Sequence, residues 1–224
     1  MSRKSDSSPR SPLTPRRVLE AAVELADTEG LDALTMRRIG AALDVEAMSL
    51  YKHVANKDAI LDGIVELVIE EMEIAPPEMV WKDAMTLRAH SAREVLSRHS
   101  WAIGLLGARG LNGPSARRYL NDSLGSLRAA GFTIEDAAHT LWALDSYVFG
   151  HVTQEASTSI SRSDGNTDPV ASESESMLPA EFPHVGDLLE HARRSAFTYD
   201  DEFDLGLGIL VDGLEGLIQN PTGG

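Results

Sequence analysis

The segment Leu34–Asp58, LTMRRIGAALDVEAMSLYKHVANKD, leaves this chain little choice of fold. Thr35 is a good N-cap, because its hydroxyl can accept a bond from an orphan amide of a first helical turn. Met36, Ile39 and Leu43 then recur at helical spacing and make one apolar face. Leu43, Asp44 and Val45 leave room only for a sharp turn. Ala47–His53 reads as a second, shorter helix, with Leu50 inward and Met48, Ser49, Tyr51 and Lys52 partly outward. A third helix opens near Lys57. Two short helices meeting at a steep angle form a helix-turn-helix, and the second of them fits the major groove of DNA.

Helical signals continue on both sides. Before the motif, Thr14 caps a helix of about Thr14–Thr28 that has Pro15 at its first position and Gly30 at its exit. After it, Ile60, Leu61, Ile64, Leu67, Val68 and Met72 keep helical spacing to about Glu73, and Pro76-Pro77 breaks the run. Further helices are predicted over Trp81–Leu96, Trp101–Leu106, Pro114–Ala130, Ile134–Ala156, Val185–Arg194 and Asp200–Gln219. Thr133 and Asp136 provide the cap for the long one. Ser157–Glu181 is rich in Ser, Asp and Glu and reads as a flexible loop. No repeat or alternating strand pattern of useful length occurs, so the fold class is all-α.

The 224 residues suffice for a proper core in one or two domains. A net charge of −15 looks wrong for a DNA binder, but it is unevenly spread: residues 1–57 sum to +1 and residues 58–224 to −16. Phosphate contact depends on the local patch, not the total. Residues 1–13 read as a disordered arm, and Arg3, Lys4, Arg10, Arg16 and Arg17 make the N-terminus basic. That arm either serves solubility or touches phosphate or the minor groove. The polar N-terminus does not resemble a secretory signal, and no apolar run is long enough for a membrane span. There is no cysteine, hence no disulfide, thiolate metal site or cysteine nucleophile, and a cytoplasmic location is expected. With no phosphate-binding glycine loop and no nucleophile–base signature, an enzyme is not expected.

Leu34-Thr35, Arg38-Ile39-Gly40, Leu43-Asp44-Val45, Leu50-Tyr51-Lys52-His53-Val54 and Asn56-Lys57-Asp58 together resemble the DNA-binding motif of the tetracycline-repressor (TetR) family. Arg16–Thr28 with Glu29-Gly30 resembles the family's first helix and its exit. Leu144–Val148 and Phe203–Leu217 look like parts of the ligand and dimer domain of the tetracycline-repressor branch. The resemblance implies a helix-turn-helix head over residues 14–57 and a helical ligand-binding and dimerisation body over 58–224, with 157–181 as its flexible loop. It implies a ligand-responsive regulator, most simply a repressor released from a palindromic operator by a small apolar or amphipathic molecule. An activator or a ligand-independent DNA-binding dimer is the alternative.

On that resemblance the DNA contacts fall on Thr35, Arg37, Ala47, Met48, Ser49, Tyr51, Lys52, His53 and Lys57. Arg37 reaches either a guanine edge or a phosphate. Ala47 and Met48 stand where the tetracycline repressor carries glutamine and proline, so apolar contact with a thymine methyl replaces hydrogen bonding. Tyr51, Lys52 and Lys57 are expected on phosphates, and His53 is either a backbone contact or packed. Ligand-pocket candidates are Trp81, Met85, Trp101, Leu105, Trp142, Asp145, Tyr147 and Phe149. The polar groups of Asp145, Ser146 and Tyr147 either bond within a dimer or orient a ligand. The homodimer is expected to meet through Gly150, Leu207, Leu210, Gly213, Leu214 and Leu217, where glycines admit a second backbone. The histidine that holds magnesium in the tetracycline repressor aligns near Leu106, with His99 the neighbouring imidazole, so no metal or other cofactor is expected.

Overall fold

The computed structural model describes residues 12–109, 113–163, 182–194 and 199–219. The basic residues Arg3, Lys4 and Arg10 and most of the expected loop, 164–181, lie outside them. Among the described residues the regular structure is helical: α1 Pro15–Glu29, α2 Met36–Ala42, α3 Ala47–Leu50, α4 Lys57–Glu70, α5 Trp81–Arg98, α6 Ala102–Arg109, α7 Pro114–Ala129, α8 Ile134–Ser163, α9 Pro183–Arg194, α10 Tyr199–Leu214 and α11 Gly216–Gln219. A single 3₁₀ turn, Leu31–Ala33, joins α1 to α2.

Two compact units form. The first takes the chain up to Glu71 and then Trp101–Arg117; the second takes Met72–Ser100 and everything from Arg118. The first is wider than the 14–57 head expected from the motif, because α4 packs on α1 and α6 packs on α4. Its core is Val18, Ala22, Leu25, Ala26, Leu34, Ile39, Leu50, Val54, Ile60 and Ile64, with Trp101 and Leu105 laid against it. Side-chain caps set the helix starts: Thr14 accepts from Arg17 N at 3.2 Å, Thr35 from Arg38 N at 3.2 Å and Asn56 from Ala59 N at 2.8 Å.

In the second unit α5, α8 and α10 pack on one another. Gly131, at φ +101°, ends α7. Thr133 then opens α8, its hydroxyl accepting from Asp136 N at 3.0 Å while donating to the Asp136 carboxylate at 2.6 Å. α8 overruns its expected end at Ala156 by seven residues, so 157–163 is helix, not loop. A polar composition does not stop a helix; a breaker does, and after Gly150 none comes before Gly165. Conversely, the expected single helix to Gln219 breaks at Glu215, between Gly213 and Gly216, where Glu215 N bonds three residues back to Asp212 O.

Candidate nucleic-acid interface

The turn between α2 and α3 depends on two residues. Asp44 sits at φ +53°, a left-handed position that Asp tolerates. A Cβ on Gly40 would lie 2.9 Å from the Val45 carbonyl oxygen and 3.3 Å from Ala47 N, so only glycine lets α2 pass this close to the chain beyond the turn. Leu50, fully buried, pins α3 to the core below.

α3 is one turn long, shorter than the helix expected over Ala47–His53. Tyr51, Lys52 and His53 continue it as a turn, with His53 N bonded to Leu50 O at 2.8 Å and Val54 N to the same oxygen at 3.0 Å. Bonds to residue i−3 tighten the chain here, and Asn56 restarts it as α4. Met48, 72% exposed, projects from α3, and Tyr51 and Lys52 project beside it. Ala47, Ser49 and His53 are half-buried. The Ala47 backbone lies against Gly40, where a Cβ would come within 3.3 Å of Ala47 N and 3.4 Å of its Cα.

The cations are sorted by their neighbours. Arg38 is ion-paired with Glu29. Arg37, Lys52 and Lys57 are exposed and form no ion pair among the described residues. Lys57 is the first residue of α4, where free amide hydrogens add partial positive charge. Thr35 spends its hydroxyl as the cap of α2, which leaves Arg37 in the first turn of a fixed helix.

The same α4 carries a carboxylate every fourth residue, a feature the periodicity of its apolar face had hidden. Arg109 of α6 binds Asp58 at 2.8 Å and Asp62 at 2.6 Å, and these carboxylates hold the guanidinium above its ordinary pKa. Glu66 accepts from the amides of Ser115, at 2.7 Å, and Ala116, at 3.4 Å, in the first turn of α7. Glu70 takes Ser115 Oγ at 3.1 Å and Arg16 at 3.0 Å. The helix that starts at Lys57 is therefore fastened along its length to α6 and the start of α7.

The pocket candidates do not come together. Trp101 donates to Asp27 at 2.7 Å and, with Leu105, covers the first unit's core, since the chain returns there after Ser100. Trp142 is 67% exposed. Trp81 is buried edge-on against Phe132 at 5.0 Å. Phe149 is half-buried, and Tyr147 donates to the Phe203 carbonyl at 3.0 Å. Met85 lines a cavity with Arg88, Tyr119, Ser123 and Asp122. Asp145 is joined to that cavity through its ion pair with Arg88, at 2.7 Å. Arg88 and Tyr119 were missed because a charge and a phenol on amphipathic helices read as surface residues.

The interface candidates also divide. Leu207 is buried within its own subunit, on the stripe Phe203–Leu207–Val211 that forms the core face of α10. Leu210, Leu214 and Leu217 are half-buried. Gly150 and Gly213 are exposed, and a Cβ on either would meet nothing within 4 Å. The apolar residues α10 does expose are Leu205 and Ile209, on the face away from that stripe. Glu135 and His139, four residues apart on α8, lie 3.8 Å from each other at the surface. Among the described residues no three His, Asp or Glu side chains converge.

A short exposed helix and turn behind the Thr35-capped α2, in a segment whose Arg37, Lys52 and Lys57 form no ion pair among the described residues, is the arrangement of a helix-turn-helix DNA-binding protein. The model for the tetR family of bacterial regulatory proteins matches residues 18–64, and that for the tetracyclin repressor-like C-terminal domain matches residues 75–218. The chain is similar to the transcriptional repressor DrrR1 of Streptomyces coeruleorubidus, with 31% identity covering 99% of this chain and 84% of the relative. It is 28% identical to the class A tetracycline repressor of Escherichia coli over 90% of each. Among solved structures, the Streptomyces coelicolor protein ActR in complex with actinorhodin superposes at a TM-score of 0.75, with 29% identity, over 93% of this chain and 99% of that one. The chain belongs to the TetR family of DNA-binding transcriptional regulators.

Proposed function

We propose that this chain is a homodimeric repressor of a palindromic operator, released by a small apolar or amphipathic molecule held in its second unit. The observation that carries this reading is Met48: a 72%-exposed apolar side chain of α3, in a motif whose Arg37, Lys52 and Lys57 are exposed and form no ion pair among the described residues. An exposed methionine among free cations suits a surface that meets base edges and phosphates together. Arg37 and Met48 read sequence. Thr35, through its helix start, and Tyr51, Lys52, His53 and Lys57 hold the phosphates, with Ser49 alongside. No catalytic role is assigned, and the effector needs no metal.

The dimer face follows from what α8 and α10 leave uncovered. Trp142 and Gly150 on α8, and Leu205, Ile209 and Gly213 on α10, offer apolar side chains and open glycine positions to a second copy. A two-fold axis would set two copies of α3 about 34 Å apart, one turn of DNA. Release is a population shift. Tyr119 and Ser123 line the cavity on the same helix whose first turn grips Glu66 of α4. A ligand that displaces α7 therefore disturbs the fastening of the helix beginning at Lys57.

DrrR1 is named a repressor and ActR binds actinorhodin, which supports both halves of the proposal. The test is a reporter whose promoter overlaps a selected operator, measured with and without the protein. Repression by the wild type and none by Met48→Asp is the expected result. Activation would favour the alternative reading, and indifference to Met48→Asp would remove α3 from the interface.

A further inference from the structure

Glu46 stands where α3 begins, and the fold makes no use of its side chain. In the first unit α1, α2 and α4 each start on a side-chain cap, from Thr14, Thr35 and Asn56. α3 starts on Glu46, whose carboxylate makes no cap bond and no ion pair among the described residues. Only its backbone oxygen contributes, accepting from Ser49 N at 2.8 Å. Ser, Thr, Asp and Asn are the residues that cap well, and glutamate is not one of them. Local stability therefore does not account for an acid at this position.

The backbone fixes which way this side chain leaves. A Cβ on Gly40 would come within 2.9 Å of Val45 O and 3.3 Å of Ala47 N, so the chain on both sides of Glu46 is held against α2. Glu46 itself is extended, at φ −69° and ψ 141°. Successive side chains of extended backbone leave on opposite sides. Val45 packs against the core of the unit, and Glu46 is exposed. Its carboxylate thus stands off the core, as the exposed Met48 does two residues on.

A carboxylate carried into a groove between two phosphate chains is repelled unless a base edge answers it. It is acceptor-only, so it needs a donor with no acceptor beside it. In the major groove guanine shows N7 and O6, thymine shows O4, and adenine shows an amino group next to N7. Cytosine shows its N4 amino group alone. We propose that Glu46 determines sequence specificity by accepting a hydrogen bond from cytosine N4 in each half-site. The side chain selects mainly by exclusion, weakening the hold on every duplex that lacks cytosine there. This rests on the reading of α3 as the element that enters the groove, and it adds a polar determinant to the apolar one of Met48.

The test selects bound duplexes from a random pool with the full wild-type chain and with Glu46→Ala, then measures band shifts on the winning operator and its single-base variants. The wild type is expected to enrich cytosine at one position of each half-site and to bind that operator about tenfold more tightly than the three variants there. Glu46→Ala should lose the preference at that position alone, bind a scrambled duplex more tightly than the wild type does, and melt at the wild-type temperature. A cytosine preference kept by Glu46→Ala, a wild-type operator with no cytosine whose preference depends on Glu46, or a lowered melting temperature would overturn the inference. The two claims fail differently. An operator read alike with and without the Glu46 carboxylate removes only this inference, whereas a wild-type chain that enriches no duplex strikes the repressor reading itself.

Discussion

In the first unit Arg37, Lys52 and Lys57 stand exposed with no carboxylate in reach among the described residues, whereas in the second Lys82, Arg88 and Arg93 each hold one or more. The first unit also holds paired cations, Arg16, Arg38 and Arg109, so the contrast lies between two sets of cations and not between the units as wholes. An unpaired exposed cation costs little in water and is free to meet a polyanion. A paired one is spent on the fold: Lys82 reaches Asp212 and Glu215, and Arg93 reaches Glu155 and Asp200, fixing the spacing of α5, α8 and α10. The unpaired cations Arg37, Lys52 and Lys57 are thus the ones left for a partner, while in the second unit the Tyr119 hydroxyl, with Thr140 Oγ1 and His151 Nε2, is buried without a hydrogen bond among the described residues.

The contrast can be broken by substitution. The largest effect is expected from Arg88→Ala, which strands Asp145 beside a cavity. Breaking a buried pair costs roughly 3–5 kcal/mol, and about 3 kcal/mol is expected here because Asp145 keeps some access to solvent. Thermal melting measures it, and Lys82→Ala, in an exposed pair, should barely move the same curve. Equal losses would show that burial does not separate the two kinds of pair.

Gly40→Ala comes next. Its new methyl would press on backbone atoms at 2.9 and 3.3 Å, which cannot swing away, so about 1–3 kcal/mol of stability should be lost in urea unfolding. A neutral result would mean that the close passage of α2 over the turn is not needed. Arg37→Ala should remove about 1–3 kcal/mol of discrimination at one base pair, read from binding to single-base variants of the operator. Arg38→Ala, whose charge is already given to Glu29, should leave those preferences in place. Were the two reversed, pairing would be no guide to the reading residue. The smallest change is expected from Lys57→Ala: all sequences weaken alike, and the slope of log K against log salt falls by about 0.9.

The head was legible because its determinants are local. The cap at Thr35, the glycine at position 40, the turn at Asp44 and the buried Leu50 all lie within Leu34–Asp58, so spacing alone places them. The extent of the first unit was not, since Trp101–Arg117 returns to it through contacts with Asp27, Asp58 and Glu66, made 74, 51 and 49 residues away. The cavity was illegible for the same reason: Arg88 finds Ser123 and Asp145 across 35 and 57 residues. Aromatic residues drew attention to Trp101 and Trp142, but neither lines the cavity. On α10 the leucine spacing was real, and it was shared with Phe203 and Val211 in the stripe that faces the subunit's own core.

Selection of bound duplexes from a random pool, using the full chain, tests most directly that the α3 turn enters a groove in duplicate. The expected winners carry two inverted half-sites with centres about 10 base pairs apart. Winners with a single half-site, or a pool unchanged by selection, would contradict the account.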